Sequence, residues 1–99
     1  MLTSMAYPKA LEQDIQQAIK ILREEGCSQV FLFGSTTTGR LRAESDIDLA
    51  VRGIPRGRYF SLVGRLLLEL EHSVDLVDLD KQHDFAEHLK RENALVQIA

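Results

Sequence analysis

The sequence predicts an α/β (α+β) fold in which a small mixed β-sheet is covered by helices. Apolar residues recur at helical spacing in three segments, and three short apolar runs have the length of buried strands. Turn residues or helix-length segments separate these runs. The chain has 99 residues, of which 44% are hydrophobic, so one domain spanning residues 1–99 is expected.

The first half of the chain predicts one helix and two strands. Pro8 suits the first turn of a helix, and Gly26 is placed to end it. The apolar face of this helix consists of Leu11, Ile15, Ala18, Ile19 and Leu22. Residues 30–33 predict a strand buried on both faces, residues 36–43 a turn with a short helix, and residues 46–51 the second strand.

The second half predicts a helix, a strand and a further helix. The spacing of five apolar residues predicts the first of these helices: Phe60, Val63, Leu66, Leu67 and Leu70. Residues 73–79 predict the third strand. Asp84 and Glu87 have the spacing of a capping pair for the last helix. Residues 95–98 fit either a short strand or a frayed tail.

The lengths of the connections predict the strand directions. The segment between the second and third strands is long enough for a crossover helix, so these strands are expected to be parallel neighbours. The segment between the first and second strands is too short for a full crossover helix, so these two are expected to be antiparallel. The end of the first strand and the starts of the other two are then expected at one edge of the sheet.

Charge and cysteine content exclude some classes of function. The net charge of -3 and the absence of an Arg/Lys run argue against binding nucleic acid by general phosphate attraction. Cys27 is the single cysteine, so no internal disulfide can form, and a small buried side chain is expected there. The chain has no signal-peptide pattern and no apolar run of membrane-spanning length, so a cytoplasmic protein without membrane contact is expected.

Acidic residues and a glycine turn form the candidate site at this edge. Gly34-Ser35 follows the first strand, Asp46 and Asp48 open the second, and Asp75 opens the third. Carboxylates at i and i+2 of a strand lie on one face and can share a divalent metal, and Mg²⁺ prefers oxygen ligands. Backbone N–H groups around a glycine turn suit a phosphate. The pattern therefore predicts nucleotidyl transfer from a nucleoside triphosphate, with two metal ions.

Several neighbouring residues have plainer interpretations. An Asp-x-Asp pair can be a solvated strand start, and Gly-Ser can be an ordinary turn. Asp78 falls on the opposite strand face from Asp75, so Asp78 and Asp80 are interpreted as strand-end solvation or helix capping. The near P-loop at residues 34–41 lacks the lysine and the hydroxyl residue. The three histidines have no zinc spacing and are interpreted as surface or helix-end residues: His72, His83 and His88.

These motifs resemble the minimal nucleotidyltransferase branch of the DNA polymerase beta superfamily. The resemblance rests on Phe31-Leu32-Phe33-Gly34-Ser35, on the run from Ser45 to Val51, and on Val74-Asp75-Leu76-Val77. It implies a polymerase-beta-like fold in which Gly34 and Ser35 hold the triphosphate. It also implies that Asp46, Asp48 and Asp75 are catalytic and bind metal, with Asp75 aiding activation of the nucleophile.

One segment departs from the family pattern. Thr37 and Thr38 stand where many relatives carry a small residue and an arginine. That arginine is not a metal ligand, so the three carboxylates are unaffected. Arg40 or Arg42 is the candidate to replace it in binding the triphosphate of ATP.

The resemblance also suggests the acceptor. Larger relatives add a domain that holds the acceptor, and this chain is too short to be expected to carry one. It is similar to antitoxins that transfer AMP from ATP to a tyrosine of a HEPN ribonuclease toxin, which would make it one component of a hetero-oligomer. Two alternatives stay open: a non-catalytic nucleotide-binding antitoxin that neutralises its partner by complex formation, and an aminoglycoside-type small-molecule nucleotidyltransferase, for which a homodimer would supply the acceptor groove.

Overall fold

The computed structural model describes residues 9–33, 46–92 and 95–99. The elements in chain order are α1 (Lys9–Glu24), β1 (Gln29–Phe33), β2 (Ile47–Arg52), α2 (Tyr59–Glu69), β3 (Val74–Asp78), α3 (His83–Arg91) and β4 (Leu95–Gln97). The predicted α/β fold is confirmed, and residues 95–97 form a strand rather than a frayed tail. The segment 36–43, predicted as a turn with a short helix, lies outside the described residues.

The described strands form one sheet in the order β3-β2-β1-β4. β1 pairs with β2 antiparallel, and β2 pairs with β3 parallel, as the connection lengths predicted. β4 pairs antiparallel with the other side of β1. The end of β1 and the starts of β2 and β3 consequently meet at one edge of the sheet.

Apolar residues cover both faces of the sheet. On one face, alternate residues of β2 (Ile47, Leu49 and Val51) pack in one cluster with α1 and α2. On the other face, Ala50 packs in a second cluster with Val77 and with residues of α3. This alternation along β2 is what a central strand needs, because successive side chains point to opposite faces.

The ends of the helices agree with the sequence in one case and differ in another. Gly26 follows α1 with φ of +96°, and its N–H donates to the Arg23 carbonyl at 3.1 Å, so the predicted glycine stop is confirmed. The predicted capping pair of α3 is wrong. Gln82 is the N-cap residue, and no side chain caps this end. Asp84 lies inside the first turn of α3, where a negative charge interacts favourably with the helix dipole.

A buried polar pair ties α1 to the segment before β3. The Asp14 carboxylate oxygen Oδ2 accepts the backbone N–H groups of Glu71 and His72 at 2.9 and 2.7 Å. The same oxygen lies 2.5 Å from His72 Nδ1. The His72 side chain is only 7% exposed, so its interpretation as a surface or helix-end residue is wrong. Because His72 lies three residues before Asp75, the bonds to Asp14 hold the chain just before β3 begins.

Two further properties bear on the sequence predictions. Cys27 is buried beside β1, as expected for a small apolar side chain. Among the helices of the described ranges, none combines the length and the apolarity needed to cross a membrane.

Candidate active site

The carboxylates of the second and third strands lie side by side at the edge of the sheet. In the parallel register of β2 and β3, Asp48 pairs with Asp75. Leu32 pairs with Leu49 in the antiparallel register, so one step further along the strands Phe33, the last residue of β1, lies beside Asp48. Adjacent strands are about 4.8 Å apart, which brings the two carboxylates within reach of one cation. Residues separated by 27 positions in sequence therefore become neighbours.

The acidic pair continues a row of apolar pairs. Along the face covered by α3, Ala50 pairs with Val77, and both are buried. Asp48 and Asp75 are the preceding pair on this face. Asp48 is half-buried and Asp75 is exposed, whereas Asp46 is exposed just before β2 begins. The row thus changes from apolar to acidic where the sheet meets solvent, so these side chains are accessible to a ligand.

Two hydrogen bonds hold the strands that carry this pair. The Ile47 N–H donates to the Ser73 carbonyl at 2.9 Å, which joins the starts of β2 and β3. On the outer side of β3, the Tyr59 hydroxyl donates to the Leu76 carbonyl. Burial raises the pKa of the Tyr59 phenol, and the negative charges of Asp75 and Asp78 raise it further. Tyr59 therefore stays protonated at neutral pH and keeps this bond to β3.

The donor chemistry at the edge suits Mg²⁺. Asp46, Asp48 and Asp75 present only carboxylate oxygens, and Mg²⁺ is commonly held by one or two carboxylates together with phosphates and water. Across residues 9–33, 46–92 and 95–99, no three His, Cys, Asp or Glu side chains converge closely enough to hold a metal ion. Carboxylates repel one another until a cation lies between them. The three-carboxylate metal site stays a prediction.

The other residues predicted for the site cannot be placed. Gly34, Ser35, Arg40 and Arg42 lie outside the described residues, as does the Thr37-Thr38 segment. Their assignment to the triphosphate stays a prediction from the sequence.

Asp78 and Asp80 lie at the opposite end of β3 from Asp75. Asp78 is 7% exposed, however, so it is not a solvated strand end. Its carboxylate accepts the Asp80 N–H at 3.0 Å and shapes the turn after β3. Asp80 accepts the Gly53 N–H at 2.8 Å and pairs with Arg52 at 3.2 Å. Both carboxylates therefore have structural roles.

Several arginines of the middle segment are occupied by ion pairs. Arg58 pairs with Glu25 at 2.8 Å, and Arg65 contacts Glu24, Glu25 and Glu69 at 2.7, 3.0 and 2.6 Å. The contacts with Glu24 and Glu25 join α2 to the C-terminal end of α1, whereas the contact with Glu69 lies within α2. Both arginines thus have carboxylate partners within the chain.

Two supporting residues were not predicted from the sequence. Tyr59 was not singled out, although a tyrosine among apolar residues at the start of a helix commonly finds a partner for its hydroxyl. Asp14 lies on the apolar side of α1, and a carboxylate in that position is a signal that a buried donor exists. Tyr59 bonds to β3 itself, and Asp14 bonds to the segment just before it.

Comparisons with known proteins identify the family of this chain. Residues 16–98 match the family described as polymerase beta, nucleotidyltransferase. A chain in a crystal structure of a toxin–antitoxin with AMP-PNP is 35% identical with a TM-score of 0.54, covering 70% of this chain and 57% of that one. A chain in a mutant of the toxin–antitoxin MntA-HpeT, with two aspartates replaced by glutamate, is 31% identical with a TM-score of 0.54, covering 66% and 56%.

No curated protein matches the chain. This chain spans little more than half the length of the two structural relatives. The family match covers most of its residues, from α1 through β4, and includes all three candidate carboxylates. The chain therefore belongs to the polymerase beta nucleotidyltransferase family.

Proposed function

We propose that this nucleotidyltransferase is an antitoxin that transfers AMP from ATP to a tyrosine hydroxyl of a cognate HEPN-type toxin, with Mg²⁺ bound by Asp46, Asp48 and Asp75. The observation that carries the proposal is the pairing of Asp48 with Asp75 across β2 and β3. This pairing brings Asp48 of the Asp-x-Asp motif beside Asp75. Among the described residues of β1, β2 and β3, these two are the only acidic ones at this edge of the sheet.

The relatives support the nucleotide and the type of partner. One is a toxin–antitoxin with AMP-PNP, which is an analogue of ATP. In the MntA-HpeT mutant, the two altered aspartates lie two positions apart in the chain, as Asp46 and Asp48 do here. Both relatives are toxin–antitoxin proteins. These findings favour ATP as the donor and a toxin protein as the acceptor.

In the proposed reaction the tyrosine oxygen attacks the α-phosphorus of ATP. A bond forms between that oxygen and phosphorus, the bond to the bridging oxygen breaks, and pyrophosphate leaves. Bound Mg²⁺ would neutralise the phosphate charge and the charge developing on the leaving oxygen. Asp46 and Asp48 would hold this cation at the start of β2, and the phosphates would bind to it there. Asp75 is exposed at this edge and accepts the phenol proton, while Gly34 and Ser35 hold the triphosphate and Arg40 or Arg42 pairs with it.

The test is transfer of AMP to the purified partner. The chain, ATP, Mg²⁺ and the partner are incubated, and the intact mass of the partner is measured. A mass gain of one AMP, located on a tyrosine by peptide mapping, is expected. Asp48→Asn should abolish the gain while ATP binding persists, because a neutral amide holds a divalent cation poorly. Asp84→Asn is the matched control, since this carboxylate is exposed in the first turn of α3, which follows the end of β3 opposite to Asp75.

The same experiment distinguishes catalysis from simple binding. If the native chain binds ATP and its partner but adds no AMP, the proposal is wrong. If the double variant Asp46→Asn, Asp48→Asn neutralises the toxin as well as the native chain does, complex formation alone accounts for the activity. Turnover of a small acceptor by the chain without any partner would instead identify a small-molecule transferase.

A further inference from the structure

The helix α2 is apolar on its outer side as well as on its inner side. Leu62 and Leu66 face the core and are 0% and 1% exposed. On the outward side, Phe60, Leu67 and Leu68 are 84%, 70% and 87% exposed. Contiguous exposed apolar surface commonly marks an interaction site.

The outward residues are arranged symmetrically about a glycine. Phe60, Gly64 and Leu68 follow one another at intervals of four residues, so they form one stripe about 12 Å long. A Cβ atom placed on Gly64 would meet no atom within 4 Å, so the middle of the stripe is open. The Phe60 ring is held in an edge-to-face contact with Tyr59, with centroids 5.3 Å apart. The large side chains thus stand on either side of a gap.

We propose that the α2 surface formed by Phe60, Gly64, Leu67 and Leu68 binds a second copy of this chain, with the two helices antiparallel about a twofold axis at Gly64. A twofold interface must be self-complementary, so a residue four positions before the axis meets one four positions after it. Phe60 of one copy then packs on Leu68 of the other. The two glycines let the helix backbones approach closely where they cross.

Charges at the ends of α2 favour the same direction. Arg56 lies just before the helix and Glu71 just after it, and both are exposed. Within the described parts of the chain, neither side chain forms an ion pair. Antiparallel packing brings Arg56 of each copy to the Glu71 end of the other, whereas parallel packing would bring like charges together.

The size of the surface indicates a weak dimer. The three exposed side chains present on the order of 400 Å² per copy, about half of the ~800 Å² that each partner buries in a standard interface. Self-association in the micromolar range is therefore expected.

The C-terminal end of α2 leads to the start of β3 and thus to the carboxylate edge. Antiparallel packing directs the two carboxylate edges away from each other, so both stay open to an acceptor.

Sedimentation equilibrium of the full chain over a range of concentrations tests the proposal. The native chain should reach a dimer, and Leu68→Glu should weaken association at least about tenfold, because it buries a charge without a partner. Gln16→Glu, on the exposed side of α1, is the control for added charge and should have no effect. Arg56→Glu or Glu71→Arg alone should weaken the dimer, and the two together should restore it. Circular dichroism confirms that each variant is folded.

Cross-linking tests the position of the axis. Gly64→Cys should give a disulfide-linked dimer on mild oxidation, because the two Cα atoms would lie within about 7 Å of each other. Lys20→Cys, exposed on α1, should give no disulfide-linked dimer. The native Cys27 is buried and does not interfere. A chain that is monomeric at all concentrations and does not cross-link at Gly64 would overturn the proposal. The proposal would also be overturned if the chain were monomeric and Leu68→Glu abolished binding to a toxin, because the α2 surface would then be the binding site for the toxin.

Discussion

Replacing Asp14 by alanine should strongly destabilise the fold. One carboxylate oxygen of Asp14 accepts two backbone N–H groups and contacts His72 Nδ1, at distances of 2.5 to 2.9 Å. Asp14 is 7% exposed, and the His72 side chain is equally buried, so water replaces these bonds poorly. Each hydrogen bond to a charged group contributes about 1.5–3 kcal/mol, and each donor left buried without a partner costs about 1–3 kcal/mol.

These contributions overlap, because the segment can relax and admit some water. A loss of about 3–5 kcal/mol in the free energy of unfolding is therefore expected, out of about 5–15 kcal/mol for a typical domain. Urea unfolding followed by circular dichroism measures it, with an unchanged m-value showing that the denatured state is the same. The unfolding temperature should fall by more than about 12 °C.

Two controls define the result. Asp14→Asn keeps one acceptor oxygen, so it should cost clearly less than Asp14→Ala. Gln13→Ala removes an exposed side chain from the adjacent position of α1 and should be nearly neutral. A loss below about 1 kcal/mol in Asp14→Ala would show that the converging bonds do not stabilise the start of β3, and the reasoning would fail.

Three further predictions concern stability and reactivity. Gly53→Ala should destabilise the protein more than Gly57→Ala in urea unfolding: both glycines have φ of +78°, but only at Gly53 would a Cβ lie 2.4 Å from Ser28 Oγ. Equal losses would contradict this steric reason. Burial raises the pKa of the Cys27 thiol, so at pH 8 a thiol reagent should react more slowly with the folded chain than with the chain in urea. Equal rates would contradict burial. The hydrogen bond from Arg58, together with the one from Arg65, lowers the pKa of Glu25 below 4.5. The ion pairs of Glu25 should therefore stabilise the fold above pH 4.5, and this stabilisation should be lost as the pH falls through the lowered pKa of Glu25. Arg58→Ala should reduce this acid dependence; an unchanged pH profile would refute it.

The strand arrangement could be predicted because each inference used local information. Alternation along β2 separates Asp48 and Ala50 from Leu49, and the loop lengths determine which strands run parallel. Together they place Asp75 beside Asp48 without any knowledge of packing. The predicted ends of β2 and β3 are off by one residue, because pairing with the neighbouring strand rather than apolar pattern sets where each strand stops.

The polar contacts inside the fold could not be predicted from local pattern. Asp14 and His72 are separated by 58 positions, and nothing in the residues near His72 shows that a buried carboxylate lies opposite. The apolar spacing of α2 also did not show which of its leucines are buried. Leu66 and Leu67 are adjacent leucines that point in different directions from the helix axis. Leu66 is 1% and Leu67 is 70% exposed. Such contacts depend on how the elements pack against one another, which the spacing of apolar residues does not show.

The register between Asp48 and Asp75 has a consequence for the synthesis of the protein. A chain emerging from the ribosome carries Asp46 and Asp48 well before Asp75, and α2 lies between them. β3 must leave the exit tunnel and pair with β2 before the carboxylates can meet. A nascent or prematurely ended chain that stops within α2 lacks β3 and therefore the third carboxylate. The timing of translation therefore delays this site until most of the chain has been made.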